Sequence, residues 1–189
     1  MARIAISGSI SSGKSTTGKI VAEKAGYRFI SGGQIFRERA RSMGMSLEEF
    51  EQMAENNPEF DITQNNAVLE ILADNDCIVV ESRLSAFLSL SKGVESFRVF
   101  LDASPEIRII RFCQREGVSR EEAARLIMER ENSDHDRFMR YFGVDYRDPR
   151  LYNMVLDTTS MTAEQAAGEI YEQFRQWLEH ERISGSGQA

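Results

Sequence analysis

Cysteine, proline, tryptophan and histidine are all scarce in this 189-residue chain, at two, three, one and two residues respectively. Cys77 and Cys113 are too few for a disulfide scaffold. Neither they nor His135 and His180 stand at metal-ligand spacing, which excludes a disulfide-rich secreted module and a structural zinc site. So little thiol fits a reducing compartment, and the expected location is the cytoplasm. Long hydrophobic runs are missing too: the opening Met1-Ala2-Arg3-Ile4-Ala5-Ile6-Ser7 has no apolar core of signal-peptide length. Nothing further on reaches the roughly 20 residues of a membrane span. Lysine is rare among the cations, 4 of 23, the other 19 being arginine. Against 30 acidic residues this leaves a net charge of −7, a field that opposes nucleic acid and anionic membrane, and neither is expected as a partner.

What is present is ordinary globular material, 41% hydrophobic and 28% charged, in a length suited to one α/β domain with a small insert. One domain over residues 1–183 is expected, with a flexible Ser/Gly tail over 184–189. The arginines are not spread evenly: ten of the 19 fall between Arg108 and Arg150, alternating with acids. That pattern suits either an ion-paired helical face or a set of planar forks gathered for phosphate.

Arg3 to Ser7 is a β-branched run that meets a Gly-rich turn, then a helix-forming stretch from Lys14 to Ala25 stopped at Gly26. Tyr27 to Ile30 follows as a second strand, so the first thirty residues form a βαβ unit and require a parallel sheet. Helical pattern then holds from Gln34 to Asn75, broken near Gly44 and Pro58, with Ser46 and Glu49 spaced as a capping box and Asp61 as a further cap. Cys77 to Val80, Arg98 to Leu101 and Met154 to Leu156 read as buried strands. Ser104-Pro105 opens a helix to Arg115. Ser119 and Glu122 open a polar helix whose periodicity fails at Asn132 to Asp136, and Thr162 with Gln165 opens the last one, to about Arg182. The fold class is therefore α/β, three layers, with five parallel strands flanked by helices.

Gly8-Ser9-Ile10-Ser11-Ser12-Gly13-Lys14-Ser15 matches G-x-x-x-x-G-K-[ST] directly between a strand and a helix. Glycines let the backbone amides turn inward around an anion, and the helix N-terminus adds positive potential. Residues Gly8 to Thr16 are the expected cradle for a triphosphate, Lys14 reaching its β- and γ-phosphates and Ser15 its Mg²⁺. Neither N-K-x-D nor D-x-x-G occurs, which argues against a switch GTPase, and the chain is short for a motor. A small kinase is left. The second strand ends in Ser31-Gly32-Gly33 with Arg37 one turn into the next helix, and the third ends in Glu81-Ser82-Arg83. Both lie on the carboxyl edge of a doubly wound sheet, where ligands bind. Two cations there suggest a second phosphate. Glu81 either orients Mg²⁺ through water or pairs with Arg83. Arg130, Asp134 and Arg137 fall where helical periodicity fails, a segment expected to close as a lid and exclude water. Arg111 and Arg115, four apart, either flank the donor or pair on the surface.

At these residues the chain resembles the nucleoside monophosphate kinases, most closely the archaeal-type cytidylate kinases, over nearly its whole length. The resemblance rests on the phosphate loop, Ile30-Ser31-Gly32-Gly33, Ile35-Phe36-Arg37, Gly44-Met45-Ser46-Leu47-Glu48-Glu49-Phe50, Glu81-Ser82-Arg83-Leu84-Ser85, the lid residues and Tyr141-Phe142-Gly143-Val144-Asp145. It implies a phosphotransferase with a phosphate group as acceptor, ATP as donor, CMP or dCMP as acceptor and Mg²⁺ between them. It also implies a mobile acceptor region, about 34–75, and a lid, about 130–150. Carried over, Lys14, Arg130, Asp134 and Arg137 are catalytic. Ser31, Gly32, Gly33, Arg37 and Arg83 line the acceptor side, with Asp61 beside them. Gln34 and Ser82 depart from the family pattern, which more often has an acid and a glycine there, so base and sugar preference stay open. The partners implied are small nucleotides and the expected state a monomer, a dimer not being excluded. Two other functions remain: transfer to a hydroxyl, as in shikimate and gluconate kinases, with Asp61 as base, and an ATP-binding sensor that transfers nothing.

Overall fold

The structure is a computed structural model and describes residues 2–185. In chain order its elements are β1 (Arg3–Gly8), α1 (Lys14–Ala25), β2 (Arg28–Ser31), α2 (Gly32–Ser42), α3 (Leu47–Asn56), α4 (Pro58–Asp74), β3 (Ile78–Glu81) and α5 (Ser85–Ser91). There follow β4 (Phe97–Asp102), α6 (Pro105–Glu116), α7 (Arg120–Phe142), a 3₁₀ turn at Pro149–Leu151, β5 (Met154–Asp157) and α8 (Ala163–Gly185). The strands form one parallel sheet in the order β2-β3-β1-β4-β5. Parallel pairing puts all five carboxyl ends on one edge, and β1, the central strand, delivers the glycine loop to the middle of it.

Strand alternation divides the core in two. Ile4 and Ile6 point to one face, where with Val79, Val99 and Leu101 they meet Val21 and Ala22 of α1 and Ala167, Ile170 and Phe174 of α8. Ala5, Ile78, Val80 and Phe100 point to the other, against Val68, Leu69 and Leu72 of α4, Leu84 and Leu88 beside or in α5, and Phe138 and Tyr146. Each large aliphatic chain buried here is worth about 1.5–3 kcal/mol. Outside the sheet, α2, α3 and α4 share a small aromatic core: Phe50, fully buried, takes Phe36 and Phe60 edge-on at 4.6 and 4.8 Å. The α6–α7 hairpin closes on Phe112, Ala123 and Ile127, and Ile10 of the glycine loop inserts into that cluster.

The five expected strands are present, each within a residue or two of its expected bounds. Ser46 and Glu49 form both bonds of their capping box, and Thr162 and Gln165 form theirs. At Ser119 the side chain accepts from the Glu122 amide. Four local expectations are corrected. Asp61 is not a cap: α4 starts a turn earlier, at Pro58, with Asn57 accepting from the Phe60 amide, and Asp61 lies buried inside the helix. The stretch 132–136 does not interrupt α7, which runs unbroken for 23 residues. Cys77 stands before β3 rather than in it, half-buried at φ +54°, because its amide and carbonyl bridge Ala2 and Arg28. Helix α5 went unread in the sequence, its Ser-rich stretch carrying little periodicity. Helix α8 carries through Ser184 and Gly185 of the expected tail, and 186–189 lie outside the described residues. Among the described residues no helix is long and apolar enough to cross a membrane.

Candidate active site

The loop between β1 and α1 lies hard against β4. Ser9 N donates to the Leu101 carbonyl at 3.1 Å, and a Cβ on Gly8 would sit 2.1 Å from that same oxygen at φ +147°, so only glycine admits this approach. The Oγ atoms of Ser11 and Ser12 are buried with no hydrogen-bond partner among the described residues. Lys14 folds back over the loop, and its Nζ donates to the Ser9 carbonyl at 2.5 Å. Burial, aided by the charge of Arg83, pushes its pKa down to about 7, against the opposing pull of Glu81 and Glu131.

Pairing of β2 with β3 sets Ser31 opposite Glu81. The Oε2 of Glu81 accepts from Ser31 Oγ at 2.7 Å and Ser15 Oγ at 3.0 Å, tying both strand ends to the first turn of α1. A serine hydroxyl and a buried carboxylate beside the loop are hard oxygen donors of the kind Mg²⁺ takes one or two at a time, its other positions going to water and phosphate. Among the described residues no cluster of three or more His, Cys, Asp or Glu forms an all-protein metal cage. Ser82 packs against Gly32, where an added Cβ would meet the serine Cβ at 2.7 Å, and its Oγ is buried with no hydrogen-bond partner among the described residues.

From Arg83 a chain of alternating charge crosses the cleft. Arg83 Nη1 lies 3.1 Å from Asp134 Oδ2; Asp134 Oδ1 accepts from Arg137 Nη2 at 2.7 Å; Arg137 Nε lies 3.1 Å from Asp61 Oδ1. Arg137 and Asp61 are 9% and 2% exposed, so this is an interior network. Burial raises the Asp61 carboxyl to about 6 even though Arg137 pulls the other way, and the charge of Asp134 adds to the rise. The Arg83 Nη1 and Arg137 Nε atoms, though ion-paired, make no aligned hydrogen bond. A buried polar atom left so costs about 1–3 kcal/mol. With Ser11, Ser12 and Ser82 these atoms gather along one edge, as groups built to meet a polar ligand would.

Arg111 lies beside the loop: its Nη1 and Nη2 donate to Thr158 Oγ1 and O at 3.1 and 2.8 Å, and Thr158 Oγ1 donates to the Ser12 carbonyl at 2.8 Å. Arg115 is over half exposed, paired with Glu116 and set over Phe112, yet close enough for its charge to depress Lys14. Arg37 is exposed and curls back toward Gly33. Arg130 turns from the cleft to α3, its Nε 3.5 Å from Glu51, while Ser133 bonds Glu55 and Tyr141 Oη donates to the Glu55 carbonyl at 2.8 Å. Helix α7 is thus fastened to the helices expected to receive the acceptor. Gln34 uses its side chain on Glu38 rather than on the cleft. The edge therefore gathers the loop, Glu81, Arg83, Asp134, Arg137 and Asp61; it leaves Arg37 and Arg115 on the surface and Arg130 on α3. Thr158, Arg108, Glu131 and Glu51 went unread in the sequence, since each is an unremarkable polar residue until the chain brings it to the edge.

A glycine loop at the centre of a 2-3-1-4-5 parallel sheet, with Lys14 folded over it and cations opposite, defines the architecture of the P-loop kinases. A solved gluconokinase from Sinorhizobium meliloti 1021 shares it at a TM-score of 0.68 and 20% identity, 97% of each chain being covered. The model of the cytidylate kinase-like family matches residues 3–160, and the chain belongs to that family. The cytidylate kinase of Thermoplasma volcanium is 39% identical over 165 residues, covering 87% of each chain. That of Thermoplasma acidophilum is 38% identical over 159, covering 84% of this chain and 85% of its own.

Proposed function

We propose that the protein transfers the γ-phosphoryl group of ATP to the phosphate of CMP or dCMP, releasing ADP and CDP or dCDP. The observation that carries this reading is geometric: Glu81, at the end of β3 and two residues before Arg83, accepts from Ser15 Oγ, in the first turn after the glycine loop, at 3.0 Å. This supports a single site shared by the loop and the opposing cations. The family membership and its cytidylate kinase relatives supply the acceptor class.

Residues Gly8 to Thr16 hold the donor phosphates by backbone amides, with Lys14 on the β- and γ-oxygens. Arg111 braces the loop through Thr158, and Arg115 swings in from the surface. Ser31, Gly32, Gly33, Arg37, Asp61 and Arg83 receive the acceptor, whose phosphate replaces Asp134 as the partner of Arg83. Ser15, steadied by Glu81, would hold Mg²⁺, which would neutralise charge on the transferring oxygens. An acceptor phosphate oxygen forms the new P–O bond as the β–γ bridge breaks. A phosphate is already ionised near pH 7, so the step needs no strong general base. Arg137, released from Asp134, and Arg130, released from Glu51, neutralise the transferred group. Removing one such cation lowers turnover about a thousandfold.

A panel assay of ADP release tests this. Turnover is expected with CMP and dCMP, above UMP, AMP and GMP; silence with all five removes the proposal. The buried Asp61, with its pKa near 6, favours a second reading, transfer to a hydroxyl by a carboxylate base. Its pairing with Arg137 opposes that role. Shikimate and gluconate belong in the same panel, and turnover with either, but no nucleotide, would establish it.

A further inference from the structure

Glu131, midway along α7, lays its carboxylate on the glycine loop. Its Oε1 accepts from the Ile10 backbone amide at 3.0 Å and from Arg108 Nη1 of α6 at 2.5 Å. The ion pair is well shielded, its side chains 13% and 17% exposed, and Arg108 Nε is buried with no hydrogen-bond partner among the described residues. The negative charge of Glu131 also reaches Lys14 and Arg83, lifting the pKa of each. One carboxylate thus sits among a loop amide, a lysine and two arginines. That is the environment a phosphoryl oxygen seeks. An ordinary surface ion pair would stand in water and touch no loop amide.

We infer that Arg108 is a further ligand of the donor's terminal phosphates, and that Glu131 occupies the phosphate's position until a polyphosphate displaces it. A phosphoryl oxygen offers Ile10 N and Arg108 what Glu131 offers them, with more charge. Two anions on the same donors repel, so the carboxylate leaves as the phosphate arrives. The arrangement depends on Ile10 having an N–H to give, which proline at that place would lack. The inference rests on the loop being a donor-phosphate cradle and on nothing about the acceptor.

Calorimetric titration of the full chain with inorganic tripolyphosphate, in EDTA so that no cation bridges the charges, tests it. Glu131→Gln keeps the shape and the acceptor for Ile10 but loses the charge, and is expected to bind about fivefold more tightly. Arg108→Gln is expected to bind more weakly by a similar factor. Glu129→Gln, an exposed change of the same net charge one turn-fraction away, is expected to bind as the wild type. Unchanged or weaker binding by Glu131→Gln overturns the inference, as does equal tightening by Glu129→Gln or unchanged binding by Arg108→Gln. If either cleft variant fails to fold, a crystal structure of the wild-type chain with tripolyphosphate decides. Arg108 on a phosphate oxygen with Glu131 out of reach of Ile10 supports the inference; Glu131 still bonded to Ile10 overturns it. The readout involves no acceptor, so a failed acceptor panel leaves it standing.

Discussion

Burial of Lys14 weighs against its charged form. With its pKa near 7 against an ordinary 10.5, the folded protein has shed a proton that the unfolded chain still holds between those values. Stability of the ligand-free protein therefore rises with pH across that window, and below it the buried ammonium opposes folding. Lys14→Met is expected to abolish transfer and yet raise the melting temperature, by about 2–4 °C for each kcal/mol relieved. The gain should be largest at pH 6 and shrink toward pH 9, where the wild-type amine is already neutral. Scanning calorimetry of both proteins at the two pH values measures it, and a melting temperature lowered at pH 6 would contradict it. Residue types also set what was legible. The loop announces itself because glycine and lysine at fixed spacing have one strong use. Asp61 misleads because a short carboxylate near a helix start suits a cap as well as a buried ion pair, and only coordinates reveal Arg137 3.1 Å away.

Among the elements, α2, α3 and the first turn of α4 meet over Phe50, while the rest of α4 packs on the sheet. Truncation there leaves a hole that Phe36 and Phe60 cannot fill, and Phe50→Ala is expected to cost about 3–5 kcal/mol. If these helices receive the acceptor, the KM for CMP should rise severalfold while that for ATP holds. Urea titration and steady-state kinetics check the two parts separately. The strands were legible because a strand buried on both faces is written as a short apolar run bounded by polar residues. Helix α7 was only half legible, and for a physical reason: Glu131, Asp134 and Arg137 take charged partners in the cleft, so its inward face is polar where periodicity seeks hydrophobes. The expected break is an inward-facing polar stripe. Helix α5 escaped for the opposite reason, since its buried serines bond to backbone carbonyls and read as turn formers.

At the scale of the molecule, the unbroken course of α7 means that one helix carries the contacts of Glu131, Asp134 and Arg137. Glu131 and Arg137 are six residues apart, about 9 Å along the axis, the first on the glycine loop and the second on Asp61. Occupancy on either side is expected to be felt on the far side, and thermodynamic reciprocity requires any such influence to be mutual. A non-hydrolysable ATP analogue should tighten CMP binding, and CMP should tighten the analogue by the same factor, both read by calorimetry; independent affinities would count against it. Such synergy would also guard the cell's ATP, because a donor held without its acceptor would meet an incompletely assembled site and water would find no reactive phosphate to hydrolyse.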